Sequence, residues 1–472
     1  NLLTTLERKA GNTEEATKLA AEILDIDPLN YYASAEQVAL GVKPKAEFTK
    51  LLRGVSESYI ELALYYLNNG FASDAEAVLK DAENIRPYPT VEYWLGWFAD
   101  RNDDKDAAAK WFAAAEAGDM DYVFPFRLET VKPLEKAIEY NPNSVMAWYY
   151  LGNLWYQKQP AKAMSCWEKA VELRPDFAMA LRNLGWGCHY FTGELRKGAD
   201  WYKKAIAADK DGNAIFLTEC DEILEQLNAP LEERYELFAG RESLYEKRYD
   251  SETRAIKLRI LKGEYEQVLD KLLTRFYARR EHIEDLHDIY VDACMLSGFR
   301  EWKSGNNEKA LEYMLMTNEY PANHGYAHLE YYARDAQVYY NIGMAYEKVG
   351  DAAKAREYYA KAAAVVVKPV DCVYNYEKAL AMLKLNPKAD VKPMFREMLK
   401  FGEESVTDYV ERFFESFDYG PRPEDVNTKA YYTQGLAWKA LGKESKARKC
   451  FEQALGQRND NVWANYYLGN IR

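Results

Sequence analysis

The stretch YYLGN occurs twice in this sequence, at Tyr149–Asn153 and again at Tyr466–Asn470. Related stretches are YWLGWF at Tyr93–Phe98, YYNIGMAY at Tyr339–Tyr346 and YYTQGLAW at Tyr431–Trp438. In each of them an aromatic, apolar segment carries one glycine. A pattern that recurs along a chain indicates a repeated structural unit, so the residues downstream of each glycine decide the fold.

Those downstream residues recur at the same spacing. Gly343 is followed by Tyr346, Gly350, Ala355, Tyr359 and Ala362. Gly435 is followed by Trp438, Gly442, Ala447, Phe451 and Ala454. Small residues allow two helices to cross closely, and large residues fill the space beside the crossing. Two helices and a turn in a period of about 34 residues are the signature of the tetratricopeptide repeat.

Turn residues mark where the helices end. Gly350 and Gly442 are expected to end first helices in the left-handed conformation. Proline should follow the second helices, at Pro28, Pro87, Pro142 and Pro175. Stacked helix pairs bury the apolar face that one pair leaves open. The sequence therefore predicts an all-α protein: a tetratricopeptide-type α-solenoid, forming a right-handed superhelix of helix-turn-helix repeats with irregular helical inserts.

The quality of the pattern varies along the chain and predicts six segments. They are N-terminal repeats with an irregular stretch at Tyr31–Val55 and a degenerate half-repeat (1–143), two well-formed repeats (144–210), degenerate helical repeats (211–333), one repeat (334–368), a helical insert (369–427), and a last repeat with a terminal helix (428–472). Incomplete repeats at Leu2–Lys9 and at Tyr466–Asn470 are expected to be either short capping helices or the ends of a segment cut from a longer chain, and the second interpretation is favoured.

Composition narrows the possible partners. The 472 residues carry a net charge of −13 and a pI near 5.2, which argues against nucleic acid and anionic membranes as partners. Because the apolar runs are short and no signal segment is visible, we expect no membrane insertion and a cytoplasmic location. The six cysteines lie far apart and are expected to be buried, reduced thiols.

No motif indicates catalysis or a cofactor. Gly-x-Ser-x-Gly and phosphate-binding loops are absent, and Gly185-x-Gly187 lacks the third glycine of a dinucleotide loop. The spacing of His282 and His287 favours a solvated helix start over a metal site. His324 and His328 are expected in a surface turn. The sequence thus predicts a protein that is not an enzyme and binds no metal or cofactor.

Three longer stretches carry more than the general repeat residues. They are FPFRLETVKPLEKAIEYNPNSVMAWYYLGNLWY (Phe124–Tyr156), PDFAMALRNLGWG (Pro175–Gly187) and EYPANHGYAHLEYYARDAQVYYNIGMAYEKVGD (Glu319–Asp351). Together they resemble the C-terminal tetratricopeptide region of large bacterial proteins that carry an uncharacterised, possibly carbohydrate-related N-terminal domain. The resemblance covers most of 60–367. That family often has a glycine-rich stretch after Arg-Phe, whereas no glycine follows Arg275-Phe276 closely here, so no role of those glycines is transferred.

In repeats of this type the first helices line a concave groove. The groove candidates are Tyr149, Asn153, Tyr156, Arg182, Asn183, Trp186 and His189. Asn153 and Asn183 match two asparagines with which some tetratricopeptide proteins hold a peptide's C-terminal carboxylate. Tyr149 stands where a lysine is expected and Arg182 is displaced by one residue, so a carboxylate clamp is doubtful. Amides beside aromatic rings suit an extended peptide or a sugar ring. The alternative is that these aromatics only pack between repeats.

The predicted function is that of a protein-interaction scaffold that binds a protein or peptide partner in the concave groove. The alternative is an accessory helical region of a larger carbohydrate-active or carbohydrate-binding bacterial protein. In that case the groove would face a missing domain of the same polypeptide, and carbohydrate would be a further ligand class.

Overall fold

The computed structural model describes residues 1–277, 286–325, 327–328, 331–410 and 422–471. These residues form α-helices joined by turns, and no strand occurs among them. The predicted all-α class is therefore confirmed. The chain divides into two compact units, Asn1–Thr192 (unit 1) and Gly193–Arg472 (unit 2).

Unit 1 contains twelve α-helices, a 3₁₀ turn at Leu128–Thr130 and a π-helical turn at Cys188–Thr192. The helices are α1 (Leu2–Ala10), α2 (Thr13–Ile26), α3 (Tyr31–Ala39), α4 (Lys45–Leu52), α5 (Ser56–Asn68), α6 (Ala72–Ile85), α7 (Pro89–Arg101), α8 (Lys105–Ala117), α9 (Val131–Tyr140), α10 (Val145–Trp155), α11 (Pro160–Leu173) and α12 (Ala178–Gly187). The stretch expected to be irregular, Tyr31–Val55, contains α3 and α4, so that expectation was wrong. Its residues lack the glycine spacing, which is why the pattern missed them.

The described part of unit 2 contains fifteen α-helices and 3₁₀ turns at Ala322–His324 and Pro369–Tyr374. The helices are α13 (Leu195–Ala208), α14 (Ile215–Gln226), α15 (Leu231–Phe238), α16 (Glu242–Tyr245), α17 (Tyr249–Leu261), α18 (Tyr265–Thr274), α19 (Leu286–Lys303), α20 (Asn307–Met316), α21 (Asp335–Lys348), α22 (Ala352–Ala364), α23 (Asn375–Leu385), α24 (Lys392–Ser405), α25 (Pro423–Ala440), α26 (Glu444–Gln457) and α27 (Val462–Leu468). Each helix from α17 to α27 packs on the next one in the chain. The predicted insert is therefore also a helix pair, α23 and α24.

The repeat spacing works by placing a glycine against a large ring. A Cβ added to Gly152 would lie 2.5 Å from Nε1 of Trp167, and one added to Gly343 would lie 2.7 Å from the ring of Tyr359. Only glycine lets the two helices approach this closely. The turn glycine Gly350 has φ +86°, and α6 and α11 each end two residues before a proline, as expected.

One of the weak repeats predicted within 211–333, with Ala310 and Met314 in its second helix, follows the regular spacing more closely than expected, because Gly298 was not recognised as its repeat glycine. Gly298 is followed by Ala310 and Met314 at the same spacing with which Gly343 is followed by Ala355 and Tyr359. A Cβ on Gly298 would lie 2.6 Å from Cε of Met314. Helices α19 and α20 therefore pack like a well-formed repeat.

The C-terminal segment of unit 2 packs against earlier helices and turns of the same unit. The backbone N–H of Asn459 donates to Oδ1 of Asn228 (2.7 Å), and the Asn459 amide donates to the carbonyl oxygen of Ala229 (2.7 Å). The ring of Tyr466 stacks on Phe299 with centroids 5.2 Å apart. The second YYLGN copy therefore begins in a helix that packs against α19 rather than in a solvated one.

The remaining sequence expectations concern thiols, histidines and membranes. All six cysteines are buried, as predicted, and none of them forms a disulfide. His287 and His324 are buried rather than solvated, because His287 stacks on Tyr320 and His324 bonds the Leu272 carbonyl oxygen; His282 lies outside the described residues. In the part of the chain that the structure describes, no three His, Cys, Asp or Glu residues lie close enough together to hold a metal ion. None of the described helices is both long and apolar enough to span a bilayer.

Candidate functional site

The predicted groove residues lie on two neighbouring first helices of unit 1. Tyr149 and Asn153 belong to α10, and Tyr156 follows its end. Arg182, Asn183 and Trp186 belong to α12, and His189 lies in the π-helical turn after it. The two groups meet through direct contacts between the two neighbouring first helices.

The two asparagines bond to each other. Nδ2 of Asn183 donates to Oδ1 of Asn153 (3.1 Å), and the same oxygen accepts a hydrogen bond from Nε1 of Trp167 (3.0 Å). Asn183 is buried, with 8% of its surface exposed, and Tyr149 packs on Phe177 with centroids 4.9 Å apart. The side-chain amides of this pair therefore already use several of their hydrogen-bonding groups in contacts within and between the two repeats.

The aromatic residues of the cluster form a second layer of contacts. Nε1 of Trp186 donates to the hydroxyl of Tyr156 (3.1 Å), and the guanidinium of Arg182 lies 4.8 Å from the Trp186 ring centre. Tyr190 stacks on Trp186 with centroids 4.1 Å apart and also contacts His189. These partly exposed rings offer a flat surface for a ligand.

Unit 2 holds a larger concave site that the sequence analysis did not identify. A pocket of about 440 Å³ is lined by residues from α17, α19, α21, α23, α25 and α27. These include the first helices of successive pairs, so the pocket lies on the inner face of the unit. Its volume falls within the range of small-ligand and side-chain sites.

A fixed position in the repeat lines this pocket. The residue six places before the repeat glycine is Asp292, Gln337, Lys429 or Trp463 in unit 2, and all four contact the pocket. In unit 1 the same position holds Thr90, Met146 and Met179. The sequence carried this periodic signal through Gly343, Gly435 and Gly469, but Asp292 could be added to it only after Gly298 had been recognised as a repeat glycine.

One wall of the pocket is built around Arg334, just before α21. Its NH1 lies 2.9 Å from Oδ1 of Asp288, its NH2 contacts Asp292, and its Nε donates to Oε1 of Gln337 (3.1 Å). Asp292 also accepts a hydrogen bond from Nε1 of Trp463 (2.8 Å). Two carboxylates surround one guanidinium, so this wall has an excess of negative charge.

The opposite wall is a nearly neutral charge network. Asp460 contacts Arg234 (2.9 Å), Arg458 (3.2 Å) and Lys257 (3.5 Å). Arg234 also forms a bidentate pair with Asp221 (2.7 and 2.9 Å) and is only 2% exposed. Because the network joins α14, α15 and α17 to the 458–461 turn, it fixes the shape of the pocket.

Glu377 on α23 differs from the other acids of the pocket. It is 4% exposed, its carboxyl group accepts a hydrogen bond from its own backbone N–H and a long one from Nε2 of Gln337 (3.4 Å), and no cation among the described residues lies within ion-pair distance of it. Burial raises the pKa of its carboxyl group to about 7. The aromatic residues Tyr374, Tyr432 and Trp463 line the same pocket.

Family comparisons agree with the repeats. Models of the tetratricopeptide repeat match residues 60–122 and 153–213, and residues 336–365 and 428–461. The chain therefore contains tetratricopeptide repeats, and the four segments confirm repeats that the glycine spacing predicted. These models describe a repeat rather than an enzyme. No curated protein matches the chain.

Several solved structures are similar to this chain. The tetratricopeptide domain of P58(IPK) is 13% identical, with 99% of this chain and 96% of that chain covered and a TM-score of 0.24. YrrB, described as a repeat protein with an unusual peptide-binding site, is 17% identical over 55% and 96%, with a TM-score of 0.22. MamA from Desulfovibrio magneticus is 18% identical over 44% and 96%, with a TM-score of 0.23. Scores this low carry no inference about ligands.

Proposed function

We propose that this protein is an interaction scaffold that holds a segment of a protein partner in the inner pocket of unit 2. The observation that carries the proposal is the pocket itself, which combines aromatic walls with several convergent charged groups on first helices. Repeat arrays of this kind offer extended concave surfaces for partners.

The pocket has the chemistry that a peptide segment needs. Aromatic and apolar side chains, such as Tyr432 and Leu436, can cover a partner's apolar groups, while Gln337 and Thr428 can bond its backbone. The charged side chains around Arg334 and Asp460 are already held by their own partners. A site fixed in this way loses little freedom on binding, and this favours affinity.

We propose the groove residues of unit 1 as a second contact surface for such a partner. The support is that Asn153 and Asn183 meet between adjacent repeats beside the partly exposed ring of Trp186. The carboxylate clamp is a weaker possibility, because Asn153 already accepts two hydrogen bonds. The carbohydrate-related alternative stays a prediction, since none of the comparisons addresses it.

A capture experiment tests the proposal. The full chain is immobilised, incubated with a lysate of the source cells and analysed by mass spectrometry, beside a variant with a filled pocket. Lys429→Trp suits this purpose, because Lys429 lines the pocket and is exposed on α25. Lys400→Trp, at an exposed position of α24, is the matched control, and circular dichroism checks that each variant is folded.

We expect a partner that binds the wild-type chain and Lys400→Trp but not Lys429→Trp. The double variant Asn153→Ala/Asn183→Ala is tested beside them and should weaken the same partner. A partner that binds Lys429→Trp as well as it binds the wild type contradicts the pocket as the binding site. Capture of no partner by the wild-type chain contradicts the scaffold function in these cells.

A further inference from the structure

We infer that the pocket of unit 2 receives a cationic side chain, the ammonium group of a lysine or the guanidinium group of an arginine, with Glu377 as its counter-ion. This inference rests on the proposed function and names the feature of the partner that the pocket selects. It follows from the charges in the pocket, taken one at a time.

The cations of the pocket are already neutralised. Arg334 has Asp288 and Asp292, while Arg458 contacts Asp425, Asp460 and Glu225. Lys257 lies 3.5 Å from Asp460, and Lys429 lies 3.9 Å from Asp371. An incoming carboxylate would therefore have to compete with an existing partner at every one of these groups.

The acids are not balanced in the same way. Asp288 and Asp292 share one guanidinium, and the buried carboxyl group of Glu377 is hydrogen-bonded only to uncharged groups among the described residues, its own backbone N–H and the side chain of Gln337 at 3.4 Å. A buried carboxylate without a counter-ion is unfavourable, and a cation brought in by a ligand removes that penalty. The pocket is thus built to gain from a positive charge.

The aromatic walls favour the same ligand. Tyr374, Tyr432 and Trp463 line the pocket together with Glu377. A ring face attracts an ammonium or guanidinium group and covers the methylene groups of a lysine or arginine side chain. A neutral polar side chain would gain neither interaction.

The burial of Glu377 supports this assignment. Desolvation raises the pKa of this carboxyl group to about 7, and the smaller opposing effects of its two hydrogen bonds and of Arg334 do not offset it. A bound ammonium group would stabilise the ionised form and lower that pKa again. The position of Glu377 in the pocket and the raised pKa of its carboxyl group therefore favour the same ligand, a cationic side chain.

The test uses two synthetic pentapeptides and the full chain. One is acetyl-Ala-Ala-Lys-Ala-Ala-amide, and the other has norleucine, a neutral side chain of similar length, in place of lysine. Binding is measured by isothermal titration calorimetry at pH 8. The variants are Glu377→Gln, which keeps the shape and removes the charge, and Glu403→Gln, which removes an exposed charge from α24.

We expect the lysine peptide to bind the wild type about tenfold more tightly than the norleucine peptide, the difference that one charge-assisted hydrogen bond provides. Glu403→Gln should keep this preference and Glu377→Gln should reduce it to about twofold or less. Equal binding of the two peptides, no binding of the lysine peptide, or an unchanged preference in Glu377→Gln overturns the inference.

The capture experiment separates this inference from the proposed function. A partner that is lost with Lys429→Trp but is retained fully by Glu377→Gln would overturn the cationic ligand and leave the scaffold standing. A partner that is retained by Lys429→Trp would contradict the scaffold pocket itself.

Discussion

The two well-formed repeats of unit 1 and the repeats of unit 2 that line the pocket differ in what lies six residues before the repeat glycine. In unit 1 this position holds Met146 and Met179, whereas in unit 2 it holds Asp292, Gln337, Lys429 and Trp463 around a pocket. The glycine spacing determines how two helices pack, and it is shared by both units. The chemistry of a site depends on positions that this packing leaves free to vary.

The largest expected effect distinguishes the two units by stability. Arg234→Met should destabilise unit 2 by about 3–5 kcal/mol, because it leaves Asp221 and Asp460 buried without one of their cations. Hydrogen exchange measured by mass spectrometry should show lost protection in unit 2, first around 228–234 and 456–460. Protection in unit 1 should stay at its wild-type level.

An exposed pair of the same unit is the control for this change. Arg196 contacts Glu233 at 2.5 Å, but its side chain is 49% exposed. Arg196→Met should therefore change the free energy of unfolding by about 0–1 kcal/mol. If Arg234→Met has as small an effect, the charge network does not hold unit 2 closed.

The second prediction concerns the pH dependence of stability. The pKa of Glu377 is about 7 in the folded chain, against an ordinary value of 4.5, because burial disfavours its ionised form. The protonated group is therefore compatible with the fold at low pH, and stability is lost as the pH rises from about 4.5 to 7. Glu377→Gln should gain about 2–3 kcal/mol relative to the wild type between pH 4.5 and pH 8, measured by urea unfolding.

Arg334 lowers the pKa of Glu377 slightly, and the carboxylate of Glu377 in turn raises the pKa of the surrounding tyrosines, namely Tyr340, Tyr374, Tyr376, Tyr432 and Tyr467. The tyrosines titrate far above pH 8, so the change in this range belongs to Glu377. In unit 1, burial and then the nearby Glu83 raise the pKa of Glu92 to about 7. Glu92→Gln should give a similar pH effect without changing the preference for the lysine peptide.

The fold was largely predictable because the packing of each helix pair depends on a glycine facing a large ring, and both residue types can be recognised in the sequence. Gly152, Gly343 and Gly435 each face a ring at fixed spacing, and such a contact can be read from the sequence. Helices α3 and α4 were not predicted, because the residues through which they pack do not follow the glycine-to-ring spacing. The helix pair with Ala310 and Met314 was predicted only as a weak repeat, because Met314 stands where a ring is expected.

The pocket could not be predicted in the same way. Its charge network joins residues more than 200 positions apart, such as Arg234 and Asp460, and no local pattern links them. Glu377 lies in a segment that was expected to be an insert, although the structure places it on a first helix. The groove candidates of unit 1 could be named from the sequence because α10 and α12 are the first helices of adjacent, regular repeats.

The third prediction tests whether both units share the same packing. Gly152→Ala in unit 1 and Gly343→Ala in unit 2 should each cost about 1–3 kcal/mol, because the new methyl group overlaps the ring of Trp167 or Tyr359. Gly456→Ala is the control, because a Cβ there meets no atom within 4 Å. It should be neutral or stabilising by up to about 1 kcal/mol, since alanine favours the helix. Urea unfolding measures all three variants.

The smallest expected effect concerns the asparagine pair of unit 1. Asn183→Ala removes one hydrogen bond, from Nδ2 to Oδ1 of Asn153, while that oxygen keeps its bond from Trp167. The free energy of unfolding should fall by about 1 kcal/mol, because no buried acceptor loses its last partner. If the unit 1 surface also contacts the partner, the affinity should fall several-fold, less than with Lys429→Trp. A fall in stability with unchanged affinity would mean that these side chains only pack between repeats, and recognition would then belong to unit 2 alone.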